Sequence, residues 1–122
     1  MKIKKVSITE KMSQFNDHWN PRIVGELNGQ HIKLVKAQGE FDWHKHDNED
    51  EMFLVVKGEF NMELRNETIL IKEGEFIIIP KGIEHRPVVK NEVQVMLFEP
   101  ANTINTGDNK KSELTQKKTE WI

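Results

Sequence analysis

The sequence predicts an all-β protein, and three observations carry that prediction. Short segments with strand-like patterns follow one another at regular spacing, with no long helical pattern between them. Asn28-Gly29 separates two such segments and favours a type I′ hairpin turn, because both central residues of that turn need positive φ. Residues 59–65 alternate apolar and polar side chains, as expected for a strand with one buried face. Short strands in this arrangement are typical of a sandwich or barrel.

The chain before residue 22 is expected to form an arm outside the barrel. Residues 4–8 predict a short strand, and residues 9–15 predict a helical turn with Thr9 as its N-cap. His18 lies in the loop that follows. It has no partner at ligand spacing and is interpreted as an ordinary surface histidine.

From residue 22 to residue 100 the pattern is that of successive strands. The predicted strands cover residues 22–27, 30–37, 51–56, 59–65, 68–72, 76–79, 84–89 and 93–99. The last two are expected to form a hairpin across residues 90–92. His31 lies on the opposite face from Ile32 and Leu34 and is interpreted as an ordinary polar residue. Residues 101–122 form a polar tail whose apolar end, Trp121-Ile122, is expected to dock on the barrel.

Composition places limits on the class of protein. The 122 residues are most simply one domain, residues 1–122. The net charge is −2, and acidic and basic residues are interspersed, so the sequence has no basic patch that would favour binding to nucleic acid or an anionic membrane. The chain has no cysteine, which excludes disulfides, thiolate metal sites and a cysteine nucleophile. Without a long apolar run, a cytoplasmic protein is the expectation.

Four residues are candidate metal ligands. His44 and His46 are two apart, so on an extended strand both imidazoles point to one face. Glu51 begins the next apolar run, and His85 follows a Gly- and Pro-framed segment. Three imidazoles and one carboxylate form an N₃O set suited to a divalent transition metal such as Fe, Mn, Ni, Zn or Cu.

These residues resemble the two motifs of the cupin superfamily. Gly39, His44, His46, Glu51 and Gly58 are similar to the first motif, G-(X)5-H-X-H-(X)3,4-E-(X)6-G. Gly74, Pro80, Gly82 and His85 are similar to the second, G-(X)5-P-X-G-(X)2-H-(X)3-N, with fifteen residues between the motifs. The chain has one residue fewer between Gly39 and His44, and Val89 replaces the final Asn; neither position is a metal ligand in the family.

The resemblance implies a single antiparallel jelly-roll (double-stranded β-helix) barrel and one metal ion held by the four residues. It also implies a homodimer. Cupins with this ligand set include dioxygenases, oxalate-handling enzymes, sugar-phosphate isomerases and small-molecule binders. A metal-dependent enzyme with dioxygenase-like chemistry on a small organic molecule is the favoured interpretation. A non-catalytic binding module and a sugar isomerase are the alternatives.

Strand alternation predicts which side chains face the site. Asp42 should share the face of the two histidines and, like Glu84, is a candidate general base, whereas Phe41, Trp43 and Lys45 should face outward. The expected pocket walls are apolar: Phe53, Val55, Phe60, Met62 and Leu64, with Met96 or Phe98. No cluster of Lys or Arg is expected at inward positions, which argues against binding of a phosphate. Trp43, Leu54 and Val56 need cover from a second subunit or from the N-terminal segment, which also favours a homodimer.

Overall fold

The structure, a computed structural model, describes residues 2–122, and its regular secondary structure is almost entirely β-strand. Within these residues one helix and eight strands follow in order: α1 Ile8–Met12, β1 Arg22–Leu27, β2 Gln30–Glu40, β3 Glu51–Lys57, β4 Glu59–Leu64, β5 Thr68–Lys72, β6 Phe76–Ile79, β7 His85–Pro100 and β8 Glu120–Trp121. The all-β class predicted from the sequence is confirmed. In this described part of the chain, no helix is long and apolar enough to cross a membrane.

The long strand β7 joins the two halves of the barrel. Its first half pairs with β4 and the end of β2, and its second half pairs with β3 and the rest of β2, always antiparallel. β5 extends the sheet beyond β4, β6 extends it beyond β3, and β1 followed by β8 extends it beyond β2. The sheet therefore wraps around one interior as an antiparallel jelly-roll barrel.

The hairpin predicted across residues 90–92 is wrong. Ala37 pairs with Val93 and Gly39 pairs with Val89, so both parts of β7 run along the same neighbour, β2. Residues 90–92 are a bulge at which the strand passes from one half of the barrel to the other. The polar Lys-Asn-Glu run has a turn-like composition, but pairing of both flanks with one long strand prevents the chain from reversing.

Two apolar clusters lie on opposite sides of the sheet. The larger cluster fills the barrel interior and includes Val35, Phe53 and Val95. The smaller lies outside, where Met12 and Phe15 of the N-terminal arm cover Val24 and Leu34, with Val56 packed against them. The N-terminal arm thus supplies part of the cover that the apolar outer face of β3 was expected to need.

The start of α1 differs from the sequence prediction. The strand predicted over residues 4–8 is absent from the described structure, and the N-cap is Ser7 rather than Thr9. The Ser7 hydroxyl accepts a hydrogen bond from the Glu10 amide at 3.2 Å. Ser7-Ile8-Thr9-Glu10 has the spacing of a capping box, which explains why the helix begins at the earlier hydroxyl.

The C-terminal end docks on the barrel, as predicted. β8 pairs in parallel with β1, and the Ile122 amide donates to the Ile23 carbonyl at 3.1 Å. The Trp121 ring meets His31 edge-on, with ring centroids 5.5 Å apart.

Candidate metal centre

Two of the four candidate ligands lie on strands and two lie on an irregular loop. Glu51 is the first residue of β3, and His85 is the first residue of β7. His44 and His46 lie on the loop of residues 41–50, called here the ligand loop. One backbone bridge ties it to β7: the His44 amide donates to the His85 carbonyl at 3.1 Å, and the His85 amide returns the bond at 2.9 Å. The Gly82 amide donates to the His46 carbonyl at 2.8 Å.

These connections bring four buried side chains to one point. His44, His46, Glu51 and His85 are each at most 4% exposed, and one possible ligand atom of each lies within 4.8 Å of the others. Glu51 Oε1 is 3.1 Å from His46 Nε2 and 3.6 Å from His85 Nε2. Ligands held about 2.0–2.2 Å from one ion are themselves separated by about 3–4.4 Å. The group is therefore close to the size that one ion requires.

Hydrogen bonds fix the orientation of two of the rings. The Nδ1 atoms of His44 and His85 donate to the carbonyls of Asp42 and Ile83, each at 2.9 Å. Since each neutral ring carries one N–H, both Nε2 atoms keep a free lone pair. Within residues 2–122, both ring nitrogens of His46, Nε2 of His85 and Oε1 of Glu51 are buried without a hydrogen-bond partner.

Buried polar atoms without partners are costly, and a bound cation would satisfy them together. The donor set also suits a divalent transition metal, because imidazole is a preferred ligand of such ions and the carboxylate cancels one charge. The residues therefore fit the ion that the sequence motifs predict.

The two loop histidines have pKa values displaced in opposite directions. Burial, together with the nearby His85, lowers the pKa of His44 to about 4, so that this ring is neutral at pH 7. Burial also opposes protonation of His46, but the Glu51 carboxylate 3.1 Å away outweighs it and raises the pKa of His46. A metal bound to His46 would have to displace that proton.

A second layer of buried charge stands behind Glu51, and sequence reasoning missed it. The Glu99 carboxyl interacts directly with the Glu51 carboxyl, and Lys33 Nζ donates to Glu99 Oε1 at 3.0 Å. Lys33 and Glu99 are 2% and 1% exposed. Burial and the charge of Glu51 raise the pKa of Glu99 well above its usual range. Although burial opposes it, the adjacent Glu99, His46 and His85 side chains hold the pKa of Glu51 well below its usual range.

Strand alternation contained a signal for this layer. Lys33 shares a face of β2 with Val35 and Ala37, both of which lie in the interior cluster. Lys33 therefore faces inward, an orientation that the sequence analysis did not identify. Glu99 shares the inward face of β7 with Leu97 and Val95 by the same rule. Two opposite charges at inward positions of adjacent strands are the pattern that could have revealed the pair.

An apolar cavity opens beside the four residues. It holds about 390 Å³ of empty space, including space open to solvent, and its walls include Trp19, Phe41, Phe53 and Leu97. His44 and Glu51 also line this cavity, so a molecule bound in it would contact two of the four candidate ligands. A second compartment of about 250 Å³ adjoins it and is lined by apolar residues that include Phe60 and Val93.

Several predicted orientations are corrected by the structure. Phe41 faces inward and is 5% exposed, in contact with Trp19 and His44 at ring-centroid distances of 4.7 and 5.3 Å. The Asp42 carboxylate bonds to the Ser112 hydroxyl instead of facing the cavity. The ligand loop is not a strand, so alternation does not apply to it. Glu84, the other candidate general base, points away from the cavity and pairs with Arg65 at 3.2 Å.

The cavity walls agree in part with the sequence. Phe53 and Phe60 line the two compartments, whereas Val55 and Met62 lie in the packed interior cluster with Leu64 against it. Met96 belongs to the outer cluster, and Phe98 alternates with the inward Leu97. Predicting either of them as a wall was wrong.

The other two histidines do not join the metal centre. His18 Nε2 pairs with Glu92 at 2.7 Å on the surface, and His31 Nε2 pairs with Glu26 at 3.2 Å.

A jelly-roll barrel with a buried three-histidine, one-carboxylate group beside an apolar cavity defines a class of small barrel that can hold a metal ion. Residues 31–99 match the family model described as the cupin domain, and the chain belongs to that family. The matched range includes both motifs and all four candidate ligands.

The chain is also similar to solved structures and to one curated protein. The fold is similar to that of a cupin-2 domain containing protein from Shewanella frigidimarina NCIMB 400, with 43% identity, a TM-score of 0.77 and coverage of 78% of this chain and 93% of that one. It is also similar to protein NMB1881 from Neisseria meningitidis, with 26% identity, a TM-score of 0.74 and coverage of 80% and 100%. The uncharacterized protein YdbB of Bacillus subtilis is 38% identical over 64 residues, which is 52% of this chain and 57% of that protein.

Proposed function

We propose that the protein binds one divalent transition metal ion through His44, His46, Glu51 and His85, and that it is a metal-dependent enzyme acting on a small organic molecule. The observation that carries the proposal is that His44 and Glu51 belong both to the four-residue group and to the wall of the cavity. A molecule in the cavity would therefore lie against the ion. Dioxygenase-like chemistry is favoured.

When bound, such an ion polarises an oxygen of the substrate and, if it is iron or copper, supports redox chemistry with O₂. The chain itself supplies the rest of the site. Carbonyl acceptors hold the rings of His44 and His85 in one tautomer, and Glu51 reduces the charge of a dication with this set to +1.

The walls of the cavity decide what can bind beside the ion. Trp19, Phe41, Phe53 and Leu97 exclude water and offer contacts to an apolar group. Among the described residues, Lys33 is the cationic side chain that faces the interior near the cavity, and it is already paired with Glu99. Recognition of a sugar phosphate is disfavoured, since such a ligand needs free cationic or hydrogen-bonding side chains.

A non-catalytic binding module is the second candidate, and one observation favours it. Besides His44 and Glu51, the polar side chain on the cavity wall is Asn105, which cannot serve as a general base. Its amide donates to the carbonyls of Trp19 and Leu114 and accepts from the Gln116 amide, so it is already engaged. A reaction that needs proton transfer from a protein side chain would have little support here.

The test begins with elemental analysis of protein purified without added metal. Iron or copper supports the enzyme, particularly if O₂ is consumed when small apolar chelators are added. Tight binding of such chelators without turnover, whichever metal is present, supports the binding module. Absence of any bound transition metal, with no uptake on titration, contradicts both candidates.

A further inference from the structure

The C-terminal segment of residues 101–116, called here the strap, lies outside the part of the chain that matches the family model, which ends at residue 99. It carries no regular strand or helix, yet it crosses the ligand loop and contributes Asn105 to the cavity wall. Thr103 and Thr106 within it are buried, at 6% and 0% exposed. A segment of this kind is built into the molecule and is not a loose tail.

The strap contacts the ligand loop through a short ladder of hydrogen bonds. The Asp108 amide donates to the Lys45 carbonyl at 3.0 Å, and the Lys45 amide donates to Asp108 Oδ1 at 3.0 Å. Asn109 Nδ2 donates to the Trp43 carbonyl at 3.3 Å, and the Ser112 hydroxyl bonds to the Asp42 carboxylate. Lys45 stands between His44 and His46, so the two central bonds fix the peptide units that carry both rings.

Gly107 brings the strap close enough to make these bonds. A Cβ at this position would overlap the Lys45 carbonyl oxygen and would lie 2.9 Å from the carbonyl carbon and 3.1 Å from His44 Cδ2. The backbone also has φ +55°, a conformation that favours glycine. Any larger residue would therefore push against the backbone of the ligand loop and the ring of His44 itself.

The strap is held in place by its own bonds. Thr106 Oγ1 lies 2.5 Å from Thr115 Oγ1, and the Asn105 side chain bonds to Leu114 and Gln116 as described above. Gln116 Nε2 donates to the Pro21 carbonyl at 3.0 Å, which anchors the end of the strap to the start of the barrel. Because these hydrogen bonds hold the strap in one conformation, the strap can fix the position of the ligand loop that it contacts.

We propose that Gly107 and Asp108 are positioning residues of the metal centre. On one edge the ligand loop is tied to the barrel by the His44–His85 bridge and by the hydrogen bond from the Gly82 amide to the His46 carbonyl, and the strap supplies its support on the opposite edge. With both supports, the ring nitrogens of His44 and His46 meet Glu51 and His85 at the spacing described above. Without the strap, His85 and Glu51 keep their places on strands, while the loop histidines lose theirs. The inference rests on the proposed metal binding.

The experiment measures metal affinity and release in four full-length variants. Gly107→Ala introduces the overlap with Lys45, and its matched control is Gly29→Ala in the β1–β2 turn. Gly29 also has positive φ, +78°, but a Cβ there meets no atom of the described residues within 4 Å. Asp108→Ala removes the acceptor for the Lys45 amide, and its control, Asp108→Asn, retains an oxygen at the same place.

Supports of metal ligands commonly change affinity by about 10–100-fold when removed. Gly107→Ala and Asp108→Ala should therefore bind Co²⁺ or Zn²⁺ about 10–100-fold more weakly and release it faster to a chelator. They should also alter the visible spectrum of the Co²⁺ form, which reports ligand geometry. Gly29→Ala and Asp108→Asn should resemble the wild type in all three measurements. Amide exchange at Lys45 in the metal-free protein should accelerate in Asp108→Ala.

Equal affinity and identical Co²⁺ spectra in all four variants would overturn the inference while leaving metal binding intact. The inference would also fail if Gly29→Ala weakened binding as much as Gly107→Ala, since the effect would then come from general destabilisation. A wild-type protein that takes up no metal would overturn the proposed function and this inference together.

Discussion

The two halves of the metal centre are held by different means. Glu51 and His85 begin strands whose backbones pair with β6 and β4, and Glu51 is backed by Glu99 and Lys33. His44 and His46 lie on a loop that is tied to the barrel on one edge by the His44–His85 bridge and the Gly82–His46 hydrogen bond, and that contacts the strap on its other edge. Substitutions in the strand-held half (Glu51 and His85 with their neighbours) should therefore mainly lower the stability of the fold. Substitutions in the loop-held half (His44 and His46) should mainly lower metal affinity.

The largest expected effect is on the strand-held half. Glu99→Leu would leave Lys33, 2% exposed, as a buried charge that has lost its hydrogen-bonded partner. Removing the partner of a buried charge costs about 3–5 kcal/mol. The free energy of unfolding of the metal-free protein, measured by urea denaturation, should fall by about that amount.

The matched double variant Lys33→Met/Glu99→Leu sharpens this test. Replacing both charges with apolar side chains of similar size is often close to neutral, so the double variant should recover most of the lost stability. If the double variant is no more stable than Glu99→Leu, the loss comes from packing and not from the uncompensated charge.

His46→Ala is the corresponding change on the loop-held half. One of four ligands is lost, and metal affinity should fall by roughly 100-fold or more, equivalent to about 3 kcal/mol. The barrel should remain folded, because His46 lies on a loop and contributes to no strand. Elemental analysis and circular dichroism measure the two outcomes. Full metal content in the folded variant would remove His46 from the ligand set.

Lowering the pH should destabilise the metal-free protein through His44, which belongs to the loop-held half. The folded protein protonates His44 only near pH 4, whereas the unfolded chain does so near pH 6.5. Between those values the unfolded state binds more protons, so the stability of the metal-free protein should fall as pH falls from 6.5 to 4. The full difference corresponds to roughly 3 kcal/mol for this residue.

Two neighbours modify that pH dependence. The pKa of His46 is raised, so its contribution has the opposite sign: it is present at low pH and is lost as pH rises through the folded-state pKa. The pKa of Glu51 is lowered, so its contribution is lost at still lower pH. His44→Gln should flatten the curve of unfolding free energy between pH 6.5 and 4. A variant with the same slope as the wild type would show that His44 is not the titrating group.

The substitution with the smallest expected effect on the metal centre is one that prevents dimer formation. Phe76 and Ile78 on β6 are 60% and 53% exposed, and they pair in register with Leu54 and Met52. In the described residues β6 pairs with β3 alone, so its free edge can pair antiparallel with a second copy about a two-fold axis. We expect a homodimer through this edge. Sedimentation of wild type and Phe76→Glu should give dimer and monomer, with metal affinity unchanged; a monomeric wild type would contradict the prediction.

The sequence by itself determined the strands and the identity of the four clustered residues. Period-two alternation in residues 59–65 and the Asn28-Gly29 turn are local signals, and the structure has β4 and the β1–β2 hairpin in those places. The two motifs indicated His44, His46, Glu51 and His85 because their spacing reflects a fixed arrangement of strands and turns. Those four side chains are brought together in the structure.

Only the tertiary structure decided the contacts between distant segments. The inward turn of Phe41 and the outward turn of Asp42 depend on a loop to which no strand period applies. The pairing of Lys33 with Glu99 joins residues 66 positions apart, and the bond between Lys45 and Asp108 joins residues 63 positions apart. Alternation can indicate that Lys33 and Glu99 face inward, but the contacts themselves form only when the barrel closes, because the path of the whole chain decides which residues lie next to one another.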